Sequence, residues 1–163
     1  MTDGDDDARH WGEVEEAVEL VQDEQPLAAL EPLRKVISTS PRNPYAYHWL
    51  GVALYEAGQL EPARDAYRAA LALSPRFLGA RVHLSHTLRQ LDDPRGALRE
   101  AETARRQKPD DPEVWHALGL AYLVQGDKAA ARQWLTAFLD STPELEVSME
   151  VRAILRLHGL EES

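Results

Sequence analysis

The residues of this 163-residue chain that could do chemistry are its histidines and its adjacent acid pairs, since it has no cysteine. His48, His86 and His116 could hold a divalent metal through imidazole nitrogens at about 2 Å. They could also change charge near pH 6.5 and so tune a binding contact. Glu15-Glu16, Asp92-Asp93 and Asp110-Asp111 could serve as acid and base. Spacing argues against most of this. Neighbouring side chains on a helix point in different directions, and two of the acid pairs fall at turns, where they read as caps and solvated faces. The three histidines fall on three successive sequence units, so one ion could hardly reach all of them, and polar contacts are the simpler reading. Thiol catalysis, disulfides and thiolate metal sites are excluded. There is no phosphate-cradling glycine loop, nucleophile motif or metal-ligand spacing. We expect no catalytic residue, no metal and no cofactor, and therefore no enzyme.

What must position these residues is a repeat. Prolines recur in equal steps at Pro41, Pro75, Pro109 and Pro143. Alanines keep the same step at Ala29, Ala63, Ala97 and Ala131, small residues at Ala17, Gly51, Ser85 and Gly119, and large apolar residues at Leu20, Leu54, Leu88 and Tyr122. Four columns sharing one period mark stacked supersecondary units. Each unit reads as two helices of roughly 12–14 residues joined by a short turn. The small columns let paired helices approach closely while Leu50, Leu54 and Tyr67 fill the space around the crossing.

Along the chain, residues 1–9 read as a disordered acidic tail. The first unit (10–43) is the least regular, with an apolar stripe of Trp11, Val14, Val18 and Val21 followed by Leu27, Leu30, Leu33, Val36 and Ile37. The second (44–77), third (78–111) and fourth (112–145) open on Asn43-Pro44, Phe77-Leu78 and Asp111-Pro112. A capping side chain followed by proline is a good helix start, and Asp93-Pro94 repeats it inside the third unit. Gly58 should end one helix and Pro62 open the next. Residues 146–163 hold a capping helix and a short tail, because Arg152 and Arg156 stand where other units mostly carry leucine or an aromatic.

Net charge is −10, from 28 acidic and 18 basic residues, with the ends acidic and the middle near neutral. Nucleic acid would meet repulsion. No apolar run approaches the roughly 18–20 residues that span a bilayer. The start lacks a basic region and apolar core, so no secretory signal is expected. A cytoplasmic location is the expectation.

These columns resemble the tetratricopeptide repeat, in which Trp, Leu-Gly, Tyr, Ala, Phe, Ala and Pro recur with a period of about 34 residues. Trp115, Leu118, Gly119, Tyr122, Ala131 and Pro143 match in the fourth unit, and Tyr47, Leu50, Gly51, Leu54, Ala63, Tyr67, Ala70 and Pro75 in the second. The third keeps Leu84, Leu88, Ala97, Ala104 and Pro109. The first departs most, with Glu13 and Glu16 at the two leading apolar positions.

The resemblance implies an all-α, right-handed solenoid that binds a protein or peptide segment in its concave face without catalysis. Carried over by position, the concave lining is Trp11, Val14, Val18 and Val21, then Tyr45, His48, Val52, Tyr55 and Glu56. It continues through Val82, His86, Arg89 and Gln90 to Glu113, His116, Leu120, Leu123 and Val124. Family members that grip a C-terminal carboxylate use lysine, arginine and asparagine where this chain has valine, histidine and leucine, which argues against that mode. An exposed apolar groove suits a helix or extended segment with apolar anchors. The function expected is an adaptor, scaffold or chaperone-like module. The alternative is a self-associating subunit, a homodimer formed through the groove or first helix.

Overall fold

The computed structural model describes residues 3–161. Among them are nine helices and no strand: α1 (Asp3–Gln22), α2 (Pro26–Thr39), α3 (Pro44–Glu56), α4 (Leu60–Leu73), α5 (Leu78–Gln90), α6 (Pro94–Gln107), α7 (Pro112–Gln125), α8 (Lys128–Asp140) and α9 (Leu145–Leu157). They form four antiparallel pairs and a final single helix. Each odd helix packs on its even partner, and each even helix on the next odd one. This is the all-α solenoid the periodicity predicts. No helix among the described residues is long and apolar enough to cross a membrane.

The columns explain the pairing. Ala29, Ala63, Ala97 and Ala131 are all fully buried. A methyl added at Gly51 would come within 2.6 Å of Tyr67 Cε1, and one at Gly119 within 2.5 Å of Leu135 Cγ. At the same position in the third pair, Ser85 Oγ donates to the Ala97 carbonyl at 2.8 Å. A hydroxyl is tolerated there only because it finds a partner.

Capping follows the sequence closely. Asn43 Oδ1 accepts from the backbone N–H of Tyr45 and Ala46 at 3.0 and 3.3 Å. Asp93, Asp111 and Asp127 cap α6, α7 and α8 in the same way. Gly126, at φ 84°, closes α7 in the left-handed region. Pro62 lies in the first turn of α4, which begins two residues earlier at Leu60.

One segment differs from expectation. Residues 3–9, anticipated as part of a disordered tail, belong to α1, which begins at Asp3; Met1 and Thr2 lie outside the described residues. Asp3, Asp5 and Asp6 in the first turn suit the positive end of the helix. Asp7 accepts a 2.6 Å hydrogen bond from the Tyr45 hydroxyl of α3, which pushes the Tyr45 pKa up to about 12. An acidic stretch thus becomes an extension of the first helix.

Candidate partner-binding site

The odd helices line the inner face of the stack, and two cavities open along it. The first, about 650 Å³, is lined by Val21, Gln22, Glu24, Pro26, Trp49, Val52, Glu56 and His83. The second, about 280 Å³, is lined by Tyr55, Tyr67, Val82, His83, His86, Glu113, His116 and Val147. His83 borders both. The structure therefore brings Tyr55, Val82, His86 and His116 together and places Val52 in the adjoining cavity. Tyr45 lies apart, at a rim cavity of about 380 Å³ with Asp7, Arg76 and Phe77. It sits between the rings of Trp11 and Phe77, each centred 5.5 Å away in an edge-to-face arrangement.

The expected exposure of this surface is corrected. His48, Val52, Val82 and Leu120 are all buried. Val52 and Val82 belong to the main core cluster of the stack, with only their edges reaching the cavities. Leu120 and Leu123 belong to a second core cluster formed with residues of α8 and α9, among them Leu135, Phe138, Val151 and Leu155. Val124 is exposed. The apolar stripe is in large part the glue of the stack, and the accessible surface is narrower and more polar than a continuous oily trough.

The expectation that the histidines could titrate near pH 6.5 is corrected too. His48 stacks on His83 with ring centroids 5.2 Å apart, and His86 lies 5.3 Å from His116, whose ring also stacks on Phe138 at 4.5 Å. Burial, with a smaller contribution from His83, pushes the His48 pKa down to about 3. Burial, aided by the Arg89 guanidinium, brings His116 down to about 4. His86 falls well below its usual value for the same reason, with His116, Arg89 and His83 adding to it, and burial lowers His83. These rings stay neutral at pH 6.5 and do not act as switches there. Among the described residues no three histidine, aspartate or glutamate side chains converge as a metal-ligand set.

Arg89 brings a cation to this part of the inner face. Its Nε is buried without a hydrogen-bond partner among the described residues. Beside it in sequence, Gln90 Nε2 donates to the Tyr55 hydroxyl. Burial raises the pKa of both Tyr55 and Glu113, the latter helped by Asp111. The second cavity thus offers apolar walls, neutral imidazoles, a phenol and a carboxylate near a guanidinium. That set can anchor a side chain and satisfy polypeptide polar groups. Its lining residues do not form a nucleophile–base pair.

Sequence reasoning misses His83, Tyr67, Trp49 and Val147 as lining residues. His83 is findable, since it precedes His86 by three positions on one helical face. Tyr67 and Trp49 read as packing residues, which they also are. Val147 depends on where α9 docks, which the repeat pattern alone does not give.

In comparisons with known proteins, residues 44–77 and residues 84–146 each match a family model described as tetratricopeptide repeat. Over 95 residues the chain is 32% identical to a probable biofilm formation methyltransferase, WspC, of Pseudomonas aeruginosa, covering 58% of this chain and 22% of that protein. The chain thus spans about a fifth of that relative's length. A thermophilic tetratricopeptide repeat protein of Thermus thermophilus superposes with a TM-score of 0.72 at 24% identity, covering 88% of this chain and 77% of the other. The first repeat domain of Spaghetti (RPAP3), solved with an HSP90 peptide, gives 0.68 at 15% identity, covering 72% and 93%. The helix pairs, their regular step along the chain and the two family matches lead to one assignment: the chain belongs to the tetratricopeptide repeat family.

Proposed function

We propose that this protein is a non-catalytic interaction module that holds a polypeptide segment against its inner face, acting as an adaptor, scaffold or chaperone-like protein in the cytoplasm. The observation that carries this reading is the pair of cavities that share His83 and mix apolar with polar lining residues, which we read as one interrupted channel. A channel of this kind accepts alternating side chains of an extended segment, or one face of a helix. The solved complex of the first repeat domain of Spaghetti with an HSP90 peptide supports the mode, that ligand being a property of that protein. The methyltransferase in the relative's name belongs to a protein of which this chain matches 22%, and the residues lining the two cavities are arranged for contact rather than for group transfer.

The test is affinity capture with wild type, Tyr55→Ala and the outer-face control Arg99→Ala, followed by calorimetry with the captured segment. Tyr55→Ala should weaken binding at least tenfold, while Arg99→Ala leaves it unchanged. Equal affinity for all three would move the binding surface elsewhere.

A further inference from the structure

The first of the two inner cavities carries two carboxylates and no cation. Glu24 and Glu56 both line it, from the α1–α2 turn and the end of α3. Both are exposed, and neither forms an ion pair among the described residues. Burial raises the Glu56 pKa, and the Glu24 carboxylate raises it further, so the two acids stand close enough to repel. Glu24 lies one repeat before Gly58, and the two share left-handed backbone at φ 59° and 77°. Glycine suits that conformation best. The first repeat instead sets a carboxylate there, at the edge of the cavity.

The remaining walls suit a cation on a hydrocarbon stem. Trp49 is one of them, and an indole is the best aromatic partner for a guanidinium or ammonium. Val21, Val52 and Pro26 offer apolar surface to the methylenes of such a side chain. His83 is kept neutral by burial and adds no charge against a cation. A guanidinium presents a planar fork of donors that two carboxylates can share, whereas an ammonium is a point charge. The second cavity differs in sign. It has one carboxylate, Glu113, and the Arg89 guanidinium lies near enough to depress the pKa of His86 and His116. A basic side chain is favoured in the first cavity and opposed by Arg89 beside the second.

We propose that the first cavity receives an arginine side chain of the bound segment, its guanidinium between Glu24 and Glu56 and its stem along Trp49. The proposal rests on the partner-binding reading above and names what the partner carries. Exposed ion pairs are individually weak, so one such anchor binds in the millimolar range and the rest of the segment supplies further contacts.

Heteronuclear NMR of the full chain tests it, with N-acetylarginine amide as probe and the uncharged isostere N-acetylcitrulline amide beside it. The Trp49 indole signal is identified by its loss in Trp49→Phe. The arginine probe should shift that signal with millimolar affinity, and the citrulline probe should bind about tenfold more weakly. Glu24→Gln and Glu56→Gln should each weaken the arginine probe about threefold. Asp110→Asn, which removes the same charge at the α6–α7 turn, should leave it unchanged. No response in wild type overturns the proposal. So does equal binding of the two probes, or binding indifferent to both glutamate substitutions. These probes read the cavity without any partner. If they fail while Tyr55→Ala still weakens segment binding, the arginine anchor alone falls. If they succeed while Tyr55→Ala has no effect, the cation site stands and the wider reading falls.

Discussion

Arg81 and Trp115, one repeat apart, make the same hydrogen bond with different chemistry. Arg81 Nη2 donates to the Pro75 carbonyl at 2.9 Å, and Trp115 Nε1 to the Pro109 carbonyl at 2.8 Å. Both carbonyls belong to the proline column, so the first helices of the third and fourth repeats are each tied to the end of the preceding repeat. Arg81 adds a 2.5 Å ion pair to Glu100 of its own partner helix. Arg81→Ala should therefore cost about 1–3 kcal/mol, because Glu100 is left part-buried without its cation. Arg81→Trp should recover part of the loss by restoring the donor to Pro75. Urea unfolding of the three proteins measures both.

Asn43 is fully buried and acts in two directions. Its carbonyl oxygen caps α3, and its amide donates to the His10 carbonyl at 2.9 Å and to Glu13 Oε2 at 3.0 Å. Asn43→Ala should lose a cap worth about 1 kcal/mol and strand further polar groups, for a total near about 2–3 kcal/mol. Asn43→Asp keeps the cap oxygen but sets a second carboxylate beside Glu13, so it should be no better. Denaturant midpoints would decide.

This bond also accounts for what the sequence leaves obscure in the first repeat. Glu13 occupies an apolar position of the pattern and reads as a defect there. It is the acceptor for Asn43, which belongs to the far end of the same repeat. Arg81 likewise breaks the pattern while preserving its hydrogen bond. Periodicity carries the fold because small columns and prolines recur in sequence. It carries less of the site. Leu120 illustrates why: its position marks it as inner lining, but only its place in the cluster that α8 and α9 complete decides that it is covered. A Leu120→Arg variant would consequently disrupt that packing rather than report on partner binding.

The close approaches at the helix pairs should not accept added volume. Gly119→Ala gains about 1 kcal/mol in helix propensity but drives a methyl into Leu135 Cγ and within 3.1 Å of its backbone nitrogen. A net loss of about 1–2 kcal/mol is expected. Ala97→Leu should cost about 1–3 kcal/mol for the same reason. Unchanged melting temperatures would refute the assigned pairing.

Acid should weaken the protein through its buried imidazoles. With folded pKa values of about 3 for His48 and about 4 for His116 against 6.5 when unfolded, the unfolded chain binds more protons over that interval. Their contribution is complete above pH 6.5 and is lost as pH falls toward 4. At pH 5 each should have cost about 2 kcal/mol. The denaturant midpoint should drop clearly between pH 7.5 and 5.0, and less so in His116→Gln. A flat profile would contradict the burial of these rings.

The two imidazole pairs also sit at particular seams. His48 and His83 face each other across the junction of the second and third repeats, and His86 and His116 across that of the third and fourth. In a linear array, cooperativity resides in such junctions rather than within the units. Protonation therefore strikes the coupling between segments before it strikes any segment. Below neutrality the molecule should melt piecemeal, its calorimetric enthalpy outgrowing the van't Hoff value, like a chain losing its links while each link stays whole.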